Sequence, residues 1–174
     1  NCVDFGHTIG IRRHAGVGSD KTTAVFLGGY DPSAYTNDIE TVIFSSKGNA
    51  AVWGDLTTAR NHAGDMGNST RCLSHDGIAP GNVTVDYITW ATKGNAVDFG
   101  DTSVNKGQCG SGADATRGYL YGGATGPSEL ASIDYFTIAS TGNASDFGDI
   151  GSGAQSNAQG GSSTTRGVHG GGYN

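Results

Sequence analysis

A chain of 174 residues is long enough for one domain with a sizeable core, and its 31 glycines disfavour helices throughout. A net charge of −6 with dispersed basic residues excludes the concentrated basic face that nucleic-acid binding requires. No apolar run approaches the ~20 residues of a membrane span.

In chain order, residues 1–7 end in Val3-Asp-Phe-Gly-His7 and read as an isolated strand. The sequence opens inside a repeat, so any targeting segment is expected upstream. Arg12 and His14 then introduce a short strand a around His14-Ala15-Gly16. Strand b is Ala24-Val-Phe-Leu-Gly-Gly29, and its glycine pair suits backbone conformations or approaches closed to other residues. After the loop Asp31–Asp38 comes strand c, beginning at Ile39, then Gly48-Asn49 and strand d, Ala51-Val-Trp-Gly-Asp55. Two β-rich runs around Gly-Asn predict a hairpin with a tight turn.

The chain then writes this unit again. Arg60 and His62 match Arg12 and His14; Cys72–Gly77 matches strand b. Val85-Asp-Tyr-Ile-Thr-Trp90 matches strand c, and Asn95-Ala-Val-Asp-Phe-Gly-Asp101 completes the hairpin. A third copy carries Lys106, Gln108, Arg117 (matching Arg71), Gly118-Tyr-Leu-Tyr-Gly-Gly123, and Ile133-Asp-Tyr-Phe-Thr-Ile138 through Phe147-Gly-Asp149. The aromatics Phe5, Trp53, Phe99 and Phe147 stand 48, 46 and 48 residues apart, a repeat-architecture period. A final copy has Ala154 at the basic position and, after one inserted residue, Gly167-Val-His-Gly-Gly-Gly172. On strand c, Phe136 and Ile138 point one way and Tyr135 and Ala139 the other, so a sheet covered on both faces is expected. A radial stack of four-stranded blades meets that condition.

These features resemble the kelch repeat: a basic residue before strand a, a diglycine closing strand b, a tyrosine on strand c and an aromatic on strand d. Leu56-Thr-Thr-Ala-Arg-Asn-His-Ala-Gly64 and Val25-Phe-Leu-Gly-Gly-Tyr30 carry the likeness best. Departures are Asp76-Gly77 for the diglycine, Thr41 for the tyrosine and Ala154 for the basic residue. The run Asp134–Asp149 also resembles repeats of large structural proteins of tailed phages, especially marine ones.

The expected fold is therefore all-β, a kelch-like β-propeller of four-stranded antiparallel blades. Its blades are 8–55, 56–101 and 102–149, with a partial blade 150–174 and residues 1–7 as an orphan strand d. Three and a fraction blades fall short of a ring of roughly 4–8, so the chain is expected to be an incomplete segment of a longer one.

Function is expected in the loops, where a repeated frame varies most. The loops between strands b and c are 31–38, 78–83 and 124–131. Tyr30, Tyr35 and Asn37 form a candidate sugar patch, an apolar ring beside an amide, and Asn82, Ser128 and Glu129 are the candidates on the other two loops. His14 and His62 recur in register and are read as structural, their rings hydrogen-bonded to backbone. Arg12, Arg60, Arg71 and Arg117 are expected to tie units together through carboxylates such as Asp55 and Asp101, or through carbonyls. Trp53, Phe99 and Phe147 are the repeated core aromatics. Cys2, Cys72 and Cys109 occupy non-equivalent positions, unlike metal-ligand spacing; buried thiols, with at most one disulfide, are expected.

No nucleophile, phosphate-loop or zinc signature occurs. The resemblance implies a non-enzymatic virion component, a tail fibre or appendage at the virion surface. It implies no cofactor and no metal. Its partners would be other virion proteins or copies of itself, and a host-surface glycan or receptor. The alternatives are a cellular kelch-type interaction scaffold and, less favoured, a galactose-oxidase-like enzyme.

Overall fold

The computed structural model describes residues 2–75, 77 and 82–173. It is all-β, with three four-stranded antiparallel sheets and two smaller ones. The first sheet orders β1 (Gly16–Ser19), β2 (Thr23–Tyr30), β3 (Tyr35–Ile43) and β4 (Ala51–Asp55) in sequence. The second orders β5 (Asp65–Gly67), β6 (Arg71–His75), β7 (Thr84–Thr89) and β8 (Val97–Asp101) in the same way. In the third, β9 (Gly110–Ala113) and β10 (Arg117–Tyr121) precede a two-stranded excursion, β11 (Ala124–Thr125) with β12 (Ser128–Glu129). The sheet is completed by β13 (Ser132–Thr137) and β14 (Ser145–Asp149). A pair, β15 (Gln159–Ser162) and β16 (Gly167–Gly170), follows. First strands of successive sheets stand beside one another: β1 against β5, β5 against β9, and β9 against β15.

Short side-chain devices make the turns between first and second strands. Asp20 Oδ1 accepts the backbone N–H groups of Thr22 and Thr23. Asn68 does the same for Thr70 and Arg71, Asp114 for Thr116 and Arg117, and Ser163 Oγ for Thr165 and Arg166. Such side chains replace water on turn donors that strand pairing leaves free. Strand a begins two to three residues later than expected, at Gly16, Asp65 and Gly110.

The repeated aromatic is the extra residue of a β-bulge. Ile39 pairs with Gly54 and Glu40 with Val52, which leaves Trp53 unpaired. The same slip leaves out Phe99 between Gly100 and Asp98, and Phe147 between Gly148 and Asp146. A bulge re-aims its extra side chain. Trp53 and Phe99 are thereby turned into the space between sheets, where they are 6% and 3% exposed.

Two apolar clusters fill those spaces. One joins Val25, Leu27, Ile39 and Trp53 of the first sheet to Cys72, Ile88 and Ala96 of the second. The other joins Met66, Leu73, Val85 and Phe99 to Leu120, Phe136 and Ile138 of the third. Each sheet is thus covered by its neighbour, and the core is a series of inter-sheet layers. Phe147, in the same register, is 57% exposed, because no third strand follows β16 among the described residues. The expectation that Phe147 is a core aromatic like the other two is corrected here.

Residues 2–7 form no ladder strand, contrary to the expected strand d. They still occupy its place: Gly48 and Ala50 donate backbone hydrogen bonds to Phe5 and His7. Gly142 and Ala144 make the matching bonds to Phe99 and Asp101.

Candidate functional site

The charged groups sit where each third strand bulges. Glu40, Asp86 and Asp134 are the bulge-paired residues, and each is buried. Arg60 Nη2 pairs with Asp86 Oδ2 at 2.7 Å, both side chains fully enclosed. Arg60 Nη1 also donates to the Ser74 carbonyl, at 2.8 Å. Lys106 Nζ lies 3.2 Å from Asp134 Oδ2 and donates to Ser132 Oγ at 2.9 Å. Arg12 pairs with Glu40 and donates to the Gly28 carbonyl. The carboxylates take further donors from the segment after strand d: Thr57 N–H and Oγ on Asp86, Ser103 N–H and Oγ on Asp134, and Ile9 N–H on Glu40. A buried ion pair persists only when its remaining lone pairs find donors, and these do.

The basic residues therefore pair within a unit, and not with Asp55 or Asp101 as expected. Those two residues serve the joint between units instead. Asp55 N–H donates to Asn95 Oδ1 and Asp101 N–H to Asn143 Oδ1, as His7 N–H does to Asn49 Oδ1, all at 3.1 Å. The asparagine after each turn glycine is thus an inter-unit acceptor. The glycine before each donor is equally constrained: a β-carbon on Gly54 or Gly100 would collide with the next unit's turn carbonyl at Gly94 or Gly142. Arg71 reaches the Ile138 carbonyl of the third sheet at 3.0 Å, in line with the carbonyl reading. Arg71 and Arg117 also lie over the Tyr87 and Tyr135 rings, each 4.6 Å from the centroid.

His14 and His62 come together, with ring centroids 3.8 Å apart. His14, His62, Gln108 and Asn157 all adopt left-handed backbone, at φ 55, 52, 57 and 55. That conformation is uncommon outside glycine, and in two of the four it goes with an N–H bonded to the preceding unit. His62 N–H bonds the His14 carbonyl, and Asn157 N–H the Gln108 carbonyl. The ring hydrogen bond expected of His62 is corrected: its Nδ1 is enclosed without a partner. Burial and the neighbouring His14 ring lower its pKa. The four residues line a cleft of 130 Å³.

The fourth unit corrects one alignment. Gly123 N–H bonds the Gln155 carbonyl as Gly29 N–H bonds that of Arg60, so Gln155, not Ala154, holds the basic position. The inserted residue precedes it.

The loop candidates have separate fates, and the third strand begins at Tyr35 instead of Ile39, so Tyr35 and Asn37 stand on β3 and not in the expected loop. Tyr30 and Tyr35 meet edge-on at 5.4 Å, and the Arg13 guanidinium covers Tyr30 at 4.9 Å. Tyr30 also lines a 320 Å³ cleft with Ile11, Arg12, Arg13 and Pro32. Asn37 is spent on the frame, its Nδ2 on the Leu56 carbonyl at 3.4 Å. Asn82 Oδ1 accepts from Thr84, and Ser128 and Glu129 lie in the short strand β12. Most of the second loop, 78–81, lies outside the described residues. Cys2, Cys72 and Cys109 are all free thiols; Cys72 is buried, Cys109 half-buried and Cys2 exposed. Burial pushes the Cys109 thiol up to about 12 and raises Cys72 as well. Among the described residues no cluster of His, Cys, Asp or Glu is placed to hold a metal ion. Among the same residues no helix is long and apolar enough to cross a membrane.

No family model matches this chain, and no curated protein matches it.

The partners Glu40, Asp86 and Asp134 escaped sequence reasoning, although they were visible as an acid recurring at one repeat position.

Proposed function

We propose that the chain is a kelch-like β-propeller segment that serves as a non-enzymatic structural and adhesive component of a virion, a tail fibre or appendage contacting the host surface. One observation carries the non-enzymatic part: each buried basic group is consumed in holding its own unit to itself, through Arg12–Glu40, Arg60–Asp86 and Lys106–Asp134. The propeller reading is supported by first strands that stand side by side and by aromatics buried between sheets. The virion assignment rests on the resemblance of Asp134–Asp149 to phage structural repeats.

Recognition then falls to the loops. Tyr30 and Tyr35 offer ring surface beside Arg13, a combination suited to a sugar ring with a hydroxyl or carboxylate. Many such loops on one particle would bind weakly and together. Antibody labelling of intact particles together with a glycan array tests this. Label at particle appendages, and glycan binding weakened ~10-fold by Tyr35→Ala, are the expected results. Label confined to host cytoplasm would favour the cellular scaffold instead.

A further inference from the structure

The joint of the first sheet with the second and that of the second with the third are each closed by the following unit in two ways. Its third strand lays apolar side chains over the aromatic, and its Gly-Asn turn seats on the glycine beside it. Over Phe99 the filling residues are Phe136 and Ile138, 1% and 0% exposed. Over Phe147 a 280 Å³ cleft opens instead, with Tyr119 and Ile133 on one wall and Arg166 and His169 on the other. Gly148 has open space where Gly54 and Gly100 meet a turn. Among the described residues β16 pairs only with β15, whereas β6 and β10 each have a strand on both sides.

We propose that this face docks a β-hairpin of the third- and fourth-strand pattern, supplied by a further repeat unit. The hairpin's first strand adds along the free edge of β16, and two large apolar side chains, at the places of Phe136 and Ile138, fill the cleft. A tyrosine lies under Arg166, the counterpart of Arg71 and Arg117, which cover Tyr87 and Tyr135 in this way. A Gly-Asn turn seats on Gly148, and its asparagine accepts the Asp149 N–H as Asn143 accepts that of Asp101.

Gln155 adds a specificity. It stands where the second and third units carry Arg60 and Lys106, and its Oε1 is enclosed without a partner. Arg60 and Lys106 neutralise Asp86 and Asp134; a neutral amide cannot do that for a buried carboxylate. The docking strand therefore carries a neutral hydrogen-bonding residue where β13 carries Asp134.

A synthetic peptide of residues 132–149 with Asp134→Asn, titrated into the full chain and followed by calorimetry and NMR, tests the inference. We expect saturable binding of one peptide per chain, with Tyr119, Phe147 and His169 resonances shifting. The unmodified peptide should bind ~10-fold more weakly, because its carboxylate is buried without a cation. Adding Asn143→Ala to the Asp134→Asn peptide should weaken it ~5-fold, the worth of one hydrogen bond. A peptide that also carries Phe136→Ser and Ile138→Ser should not bind. For weak affinity, fusing the Asp134→Asn hairpin after Asn174 through a flexible linker should raise Tm, and the serine version should not. Equal behaviour of the serine and parent hairpins in both formats overturns the proposal. So does dimerisation of the chain through this face without peptide, which would make a second copy the occupant.

Discussion

At the scale of single residues, two buried titratable groups on adjacent strands oppose each other. Burial pushes the Asp65 carboxyl up to about 7, against an ordinary 3.8, and its Oδ1 is enclosed without a partner. Burial pulls the His75 imidazole down to about 4 from 6.5; its Nδ1 accepts the Gly64 N–H at 2.7 Å. The raised carboxyl contributes stability that is present below pH 3.8 and lost as pH rises through about 7. The lowered imidazole contributes stability that is present above pH 6.5 and lost as pH falls toward about 4. Between those limits the two slopes cancel in part. Asp65→Asn should therefore gain on the parent as pH rises, by ~2 kcal/mol at pH 8, and should lose stability steadily from pH 6.5 to 4. Urea unfolding at three pH values checks this; parallel curves for the two proteins would refute it. The buried ion pairs behave differently. Arg60→Met strands Asp86 in the interior and should cost ~3–5 kcal/mol, with part of the loss restored by adding Asp86→Leu. Denaturation of the single and double variants measures both steps.

At the scale of elements, the stability of each sheet depends on its neighbour. Phe99 and Phe147 have the same strand, the same bulge and the same following glycine, but only Phe99 is covered. Phe99→Ala should cost ~3–5 kcal/mol and Phe147→Ala under ~1 kcal/mol, read from thermal or chemical unfolding. Similar losses at both would mean that Phe147 is covered in solution. Strands b, c and d were legible in the sequence because diglycines, tyrosines and aromatics mark them. The bulge was not, since the period of the aromatic says nothing about pairing register. Gly-Asn was readable as a turn, and that local explanation hid the longer-range work of Asn49, Asn95 and Asn143 as acceptors for the preceding unit. Asp55 and Asp101 drew attention as conspicuous acids. The true partners Glu40, Asp86 and Asp134 lie 28, 26 and 28 residues after their basic residues, a separation that only the sheet topology makes short. Asn68-Ser-Thr70 likewise resembles a glycosylation signal, yet its amide is occupied: Oδ1 holds the turn, and Nδ2 donates to the Ala115 carbonyl of the third unit.

At the scale of the whole molecule, three near-identical joints in series organise the chain: residues 5–7 on the first unit, the first on the second, and the second on the third. Repeat proteins draw stability from such nearest-neighbour interfaces, so a unit with an open flank is the place where the array is weakest and most ready to bind. Two stacked histidines and two left-handed amides line the side where first strands meet, while Tyr30 and Tyr35 stand at the facing ends of β2 and β3, beside the first variable loop. Hydrogen exchange resolved at single amides tests this organisation most directly. The Asp55 and Asp101 amides, held by Asn95 and Asn143, should exchange slowly, and the Asp149 amide, with no turn upon it, should exchange at least ~100-fold faster. Comparable rates at all three would contradict the account.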